Sequence, residues 1–228
     1  MRIGVLGTGI VGRTLASALL RGGHEVRMGS RTAGNEAAVA WAREIGGPAT
    51  EGTFADAAGF GELIINATAG GASLEALNAA GAEQLAGKVL LDVSNPLDFS
   101  KGMPPTLTVC NDDSLAEQIQ REFSDVRVVK TLNTVTAAVM VEPALVPGGH
   151  TIFVAGNDAG AKAQAAELLG EFGWPEEAIL DLGDITAARG LEMYLPLWLR
   201  LWGATGSPML NVAVRSGGDA AAGAEAAS

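Results

Sequence analysis

Apolar residues in this chain gather into short runs, and between the runs they recur at the three- and four-residue spacing of an amphipathic helix. The runs fall near residues 2–7, 24–29, 62–67, 88–93, 126–132, 151–156 and 178–181, with a weaker one around Ala49-Thr50-Glu51. Helical stretches fill much of the space between them. One runs from Thr14 into the pair Gly22-Gly23, a second from Glu36 to Ile45, and a third from Ser73 to Leu85. Ser114-Leu115-Ala116-Glu117 reads as a capping box opening a helix to Phe123, and Asp158 to Phe172 forms another that Gly173-Trp174-Pro175 ends. Strands that alternate with helices can bury both faces of a sheet. The pattern predicts an α/β fold of Rossmann type, a doubly wound and mostly parallel sheet, over residues 1–182.

From Gly183 the pattern changes. Ile185, Ala188, Leu191, Leu195, Trp198 and Trp202 recur at helical spacing and make a bulky apolar stripe. Residues 183–215 are read as a small helical C-terminal part covering the ligand cleft, with Trp198 and Trp202 as packing residues rather than ring-stacking ligands. Pro196 within the run implies a kink or a break. Gly203 to Pro208 reads as a loop and Met209 to Val214 as a short apolar return. Residues 216–228, rich in Ala, Gly and Glu, have nothing to bury and are expected to be disordered.

Composition narrows the class. With 228 residues, 48% of them apolar, the chain can bury one substantial core and at most a small appendage. No run of about 18 uncharged apolar residues occurs, and the first residues belong to a strand rather than a leader. A soluble, cytoplasmic protein is expected. The net charge of −11, with no Lys/Arg cluster to offset it, argues against nucleic acid and against anionic membranes as partners. Cys110 has no second cysteine to pair with and is expected to be a small buried residue. His24, expected in a turn, and His150 stand apart, and no spacing suggests a metal site. The C-terminal stripe has two readings, a homodimer interface or burial within its own chain.

An acidic protein of this kind needs local donors to bind a polyanion, and one motif supplies them. Gly7-Thr8-Gly9-Ile10-Val11-Gly12 follows the first strand and leads into the first helix, the context in which G-x-G-x-x-G holds a dinucleotide. Gly7 permits the tight turn, Gly9 lets backbone approach a pyrophosphate, and Gly12 lets the helix pack on the strand. The helix N-terminus receives the phosphates. About 20 residues further on, an NAD-selective domain places Asp or Glu for the ribose 2′-hydroxyl. Here the second run ends in Gly29-Ser30-Arg31. A hydroxyl and a guanidinium suit a 2′-phosphate, so the expected cofactor is NADP(H).

In an open α/β sheet the carboxyl ends of the strands face the ligand crevice. Three further strand ends carry candidate chemistry here: Asn66-Ala67-Thr68-Ala69-Gly70-Gly71, Ser94-Asn95-Pro96-Leu97, and Asn133-Thr134-Val135. Ala67, Thr68 and Ala69 are small enough to admit a nicotinamide or its ribose, and equally compatible with an ordinary turn. Asn95, Pro96, Asn133 and Thr134 offer amides for a planar heterocycle. Taken singly each asparagine is as well explained by an Asx turn; a pair at adjacent strand ends favours the ligand.

Several segments taken in order resemble one family. Gly7-Thr8-Gly9-Ile10-Val11-Gly12, Gly29-Ser30-Arg31, Val128-Val129-Lys130-Thr131-Leu132-Asn133-Thr134, Ala155-Gly156-Asn157-Asp158 and Ala188-Arg189-Gly190-Leu191-Glu192 look like the NADP oxidoreductases that reduce or oxidise the deazaflavin coenzyme F420. The resemblance extends to about Val214. It implies a dinucleotide domain, a small helical C-terminal part, and hydride exchange in a cleft between them. The archaeal members carry histidine where this chain has Asn133, beside the deazaflavin ring; Asn133 and its neighbours are similar instead to the NADPH domain of ferric reductases, whose acceptor is a flavin. The second basic residue sometimes found after Ser-Arg is replaced by Asn35 and Glu36.

Hydride transfer between two ring systems asks little of protein acids and bases, which fits the absence of an obvious catalytic set; no catalytic residue is assigned. Carbonyl or imine reduction needs a proton donor. Lys130 could be one, but on a strand it reads better as a structural or phosphate-facing cation. Three readings stay open: hydride exchange between NADP(H) and F420 or a flavin as co-substrate, NADPH-dependent reduction of a small imine or carbonyl, and a non-catalytic NADPH-sensing module.

Overall fold

The computed structural model describes residues 1–217. The chain runs through β1 (Arg2–Leu6), α1 (Ile10–Arg21), β2 (Glu25–Ser30), α2 (Glu36–Ile45), β3 (Ala49–Thr53), α3 (Phe54–Phe60) and β4 (Leu63–Asn66). It continues through α4 (Ser73–Ala80), α5 (Ala82–Leu85), β5 (Val89–Asp92), a short hairpin of β6 (Leu97–Asp98) and β7 (Thr106–Leu107), α6 (Leu115–Glu122) and β8 (Arg127–Thr131). The last part holds α7 (Ala137–Val141), β9 (Ile152–Gly156), α8 (Ala159–Glu171), β10 (Ile179–Asp181) and α9 (Ala188–Thr205). Eight strands form one sheet in the order β10-β9-β8-β5-β4-β1-β2-β3. The six from β8 to β3 are parallel, β9 lies antiparallel to β8, and β10 runs parallel to β9. The chain winds outward from β1 to β3 and then returns to β4. That reversal places a crevice at the carboxyl ends of β1 and β4.

Alternation along the strands builds a core on each face. Val5, Met28, Leu63, Ile65, Leu91 and Val129 pack against α1, α2, α7 and α8. Leu6, Ile64, Leu90 and Val128 pack against α3, α4, α5 and α6. Odd and even positions of β4 and β5 thus belong to different cores, as a doubly covered sheet requires.

Several elements depart from the periodicity. α3 is not anticipated by it, because Phe54-Ala55-Asp56-Ala57-Ala58-Gly59-Phe60 is too short and too small-sided to carry a stripe. What holds α3 is local and steric: Thr53 and Asp56 form a reciprocal capping box, and Gly4 has no Cβ to strike the Ala57 carbonyl, which would lie 2.3 Å away. The predicted helix from Ser73 to Leu85 is divided at Gly81, whose φ is +89°. Pro196 does not end α9, and the helix passes Gly203 to stop at Gly206 in the left-handed conformation. Cys110 is exposed rather than buried, since it lies in the loop before α6 rather than on a strand. Trp198 is buried and Trp202 is 39% exposed.

Met209 to Val214 runs beside Thr151, whose N–H donates to the Val212 carbonyl at 2.9 Å, without forming a strand. His24 follows the turn at Gly22-Gly23, and its buried ring meets Glu171 at 2.6 Å. The tail expectation falls, from residue 218 onward, outside the described residues. Among the described residues no helix is long and apolar enough to cross a membrane.

Candidate functional site

The glycine loop turns between β1 and α1. Gly7 has a φ of +115°, a backbone state that side chains rarely adopt, and a Cβ on Gly12 would lie 2.1 Å from the Gly7 carbonyl oxygen. The first and third glycines are therefore demanded by the protein's own packing. Gly9 is different: a Cβ there meets nothing within 4 Å. It caps α1 with extended backbone and makes no side-chain bond, and the first turn of α1 contains no acidic residue. The helix start presents uncompensated N–H groups beside open space that a side chain would fill. That arrangement fits a pyrophosphate.

A cavity of about 390 Å³ adjoins this loop, walled by Gly7 to Gly9, Ser30, Arg31, Asn35, Phe54, Ala67 to Ala69, Ala72, Glu75, Ala76 and Ala79. The Ser30 hydroxyl, almost fully buried, donates to the Thr32 carbonyl at 2.7 Å, which fixes the turn that presents Arg31. Arg31 reaches solvent and stands 3.7 Å from Glu75, on the first turn of α4. The Asn35 side chain accepts from the Ala37 and Ala38 amides and so caps α2.

A second cavity of about 450 Å³ shares Ala67, Thr68, Ala69 and Ala72 with the first and is lined further by Val11, Gly70, Gly71, Val93, Ser94, Asn95, Leu97 and Phe99. No ionisable side chain is among its lining residues. The two cavities adjoin over the ends of β1, β4 and β5, sharing a wall of small residues.

Beneath the second cavity runs a buried polar chain. Asn66 donates to Asp92 at 2.9 Å and to the Ser73 hydroxyl at 3.1 Å, and accepts the Thr68 hydroxyl at 2.7 Å. Lys130, fully buried, donates to Asp92 at 2.7 Å and to the Ser94 carbonyl at 2.6 Å, and its ammonium lies 2.9 Å from Glu192. Glu192 also accepts the amides of Leu115 and Ala116 at 2.8 and 3.1 Å. One carboxylate of α9 thus caps α6 and holds the strand-end lysine. Burial works to lower the Lys130 pKa, but Asp92 and Glu192 outweigh it and the value is raised, so the ammonium persists. With all three of its directions taken, Lys130 is a structural cation.

Asn95 and Asn133 meet across the ends of β5 and β8. Each amide N–H₂ donates to the other residue at 2.9 Å, to the backbone carbonyl of Asn133 in one direction and the side-chain oxygen of Asn95 in the other. Asn133 donates also to the Leu191 carbonyl at 3.0 Å, which ties this pair to α9. The turn into it is strained. Leu132 has a φ of +62°, and the Asn133 amide donates to the Thr131 carbonyl at 2.8 Å. The Asn133 Oδ1 and Thr134 Oγ1 atoms are buried with no partner.

Gly7, Thr8, Gly9, Ser30, Arg31, Val11, Ala67, Thr68, Ala69 and Asn95 line one or both of these cavities. Ile10 is exposed beside them, on the first turn of α1. Gly12, Pro96, Asn133 and Thr134 are outside both linings, Asn133 joining through its bonds to Asn95. Glu75 and Phe99 carry no signal in the sequence, whereas Ser94 and Leu97 belong to a candidate strand end and Glu192 to one of the family-like segments. Asp92 had a legible signal: a carboxylate ending an apolar strand, paired in register with Lys130 at the end of another.

The family of coenzyme F420-dependent NADP oxidoreductases matches residues 2–96. Over 95% of its length the chain is 52% identical to the whole of a proposed F420-dependent NADP-reductase from Arthrobacter sp. FB24, whose crystal structure superposes with a TM-score of 0.89. The chain belongs to the F420-dependent NADP oxidoreductase family. This NADP-dependent oxidoreductase is also 29% identical over 206 residues to the metalloreductase STEAP3 of Rattus norvegicus, covering 86% of the chain and 38% of that longer protein. An imine reductase of Streptomyces aurantiacus, 20% identical, shares the fold over 90% of this chain and 63% of its own, with a TM-score of 0.62.

Proposed function

We propose that this NADP-dependent oxidoreductase exchanges a hydride between NADP(H) and a planar ring acceptor, coenzyme F420 or a flavin, where the two cavities adjoin. The observation that carries this reading is the absence of any ionisable side chain among the residues lining the second cavity. Reduction of an imine or carbonyl calls for a proton donor at that place, whereas ring-to-ring transfer does not. When bound, NADPH supplies a hydride from its nicotinamide ring.

The chain's own residues bind, orient and exclude water. Gly7 to Gly12 hold the pyrophosphate at the start of α1, and Arg31 takes the 2′-phosphate, presented by the turn that Ser30 fixes. Ala67, Thr68 and Ala69 keep the shared wall thin enough for nicotinamide to lie against backbone. Asn95 faces the acceptor side, held by its two bonds to Asn133, and Pro96, Asn133 and Thr134 back it from outside the cavity lining. Val11, Leu97 and Phe99 supply apolar surface that excludes water.

The test is an acceptor screen by absorbance. NADPH should bleach F420 or a flavin in the presence of the protein. Bleaching of neither, with NADPH oxidised only when an imine or carbonyl is added, would overturn the reading.

A further inference from the structure

The first cavity contains a charge that its expected ligand does not want. Among its lining residues Arg31 is the lone cation and Glu75 the lone anion, and they face each other 3.7 Å apart. Both side chains are more than 70% exposed, so neither is held by burial and each is free to re-pair. Ser30, the other expected phosphate donor, already spends its proton on the Thr32 carbonyl, and the Asn35 carbonyl oxygen is committed to capping α2. The guanidinium is therefore the main attraction for a phosphate here, and Glu75 competes for it.

We propose that Glu75 sets the selectivity of this site between phosphorylated and unphosphorylated dinucleotides. This rests on the assignment of Arg31 to the 2′-phosphate. A 2′-phosphate must displace the Glu75 carboxylate from Arg31 and then sit near a like charge, so part of Arg31's attraction is cancelled. An unphosphorylated ribose meets no such repulsion, and its hydroxyls can donate to the carboxylate. Glu75, on α4, takes the part that an acidic residue at the end of β2 plays in an NAD-selective domain. The result is a muted preference for NADPH rather than exclusion of NADH. Exposed ion pairs are weak, so the expected effect is several-fold rather than orders of magnitude.

The experiment measures Kd for NADPH and for NADH by fluorescence titration of the wild type, Glu75→Gln and Arg31→Ala, with Tm recorded for each. Glu75→Gln should tighten NADPH by about three- to tenfold and leave NADH unchanged or weaker, with an advantage that shrinks as salt is added. Arg31→Ala should weaken NADPH by about ten- to a hundredfold and spare NADH. If Arg31→Ala weakens NADPH while Glu75→Gln leaves it unchanged or weakens it, the proposal about Glu75 fails and the phosphate assignment stands. Equal effects of Arg31→Ala on both dinucleotides would overturn the phosphate assignment itself.

Discussion

The three glycines of the loop do different work, and substitution separates them. A Cβ on Gly12 collides with backbone at 2.1 Å, where nothing flexible can yield. A Cβ on Gly9 meets only open space, and the residue's extended backbone at φ −73° suits alanine. Gly9→Ala should therefore fold with a stability change within about 1 kcal/mol, as for a modest change of helix cap, yet bind both NADPH and NADH much more weakly. Gly12→Ala should lose stability and binding together. Thermal melts alongside NADPH titrations check both outcomes, and a Gly9→Ala protein that binds normally would remove the pyrophosphate from this loop. The same contrast explains what the sequence discloses at this scale. The motif and its position announce a dinucleotide, whereas which glycine serves the fold and which the ligand depends on what surrounds each.

Among elements, the contact between α6 and α9 shows how charge holds the C-terminal helix in place. Arg189 grips Glu117 with two bonds of 2.9 and 2.6 Å, and Arg121 grips Asp113 nearby. The Arg189 bond is the main cause holding the Glu117 pKa below its ordinary 4.5, and the Arg121 bond holds Asp113 well below 3.8. A carboxyl lowered on folding stabilises the protein above its ordinary pKa, and that stability is lost as the pH falls through the lowered value. Tm should therefore be steady above pH 4.5 and fall below it. Arg189→Ala should melt lower at neutral pH and lose less on acidification; a parallel acid limb in both proteins would contradict the assignment. The strands flanking this region were legible as short apolar runs, and so were the caps of α6 and α8. α3, the break at Gly81 and the passage of α9 through Pro196 were not. Each is decided by close backbone approach or tertiary packing, which outweighs local propensity.

For the whole molecule, the polar chain from Asn66 through Asp92 and Lys130 to Glu192 joins the floor of the crevice to α9 and to the start of α6. Removing one member leaves buried charge without a partner. Lys130→Met should cost about 3–5 kcal/mol in denaturant unfolding, with Asp92 and Glu192 both left uncompensated. A loss under about 1 kcal/mol would mean that the pair is not buried as described. Half of the candidate site could be read from the chain, because a glycine fingerprint and Ser30-Arg31 are contiguous signals. The other half is assembled from residues far apart in sequence: Glu75 opposite Arg31, and Phe99 in the wall of the second cavity, whereas Asn95 and Asn133 announced themselves as amides at adjacent strand ends. Only the sheet order brings these together. The central claim, hydride passage along that crevice from a dinucleotide to a ring acceptor, is tested most directly by a single turnover without oxygen, using NADPH deuterated at the nicotinamide C4. With F420 or a flavin present, one acceptor should be reduced for each NADPH oxidised, deuterated NADPH should react more slowly, and reduced F420 should carry the deuterium. NADPH that binds and is not oxidised by either acceptor would contradict the account.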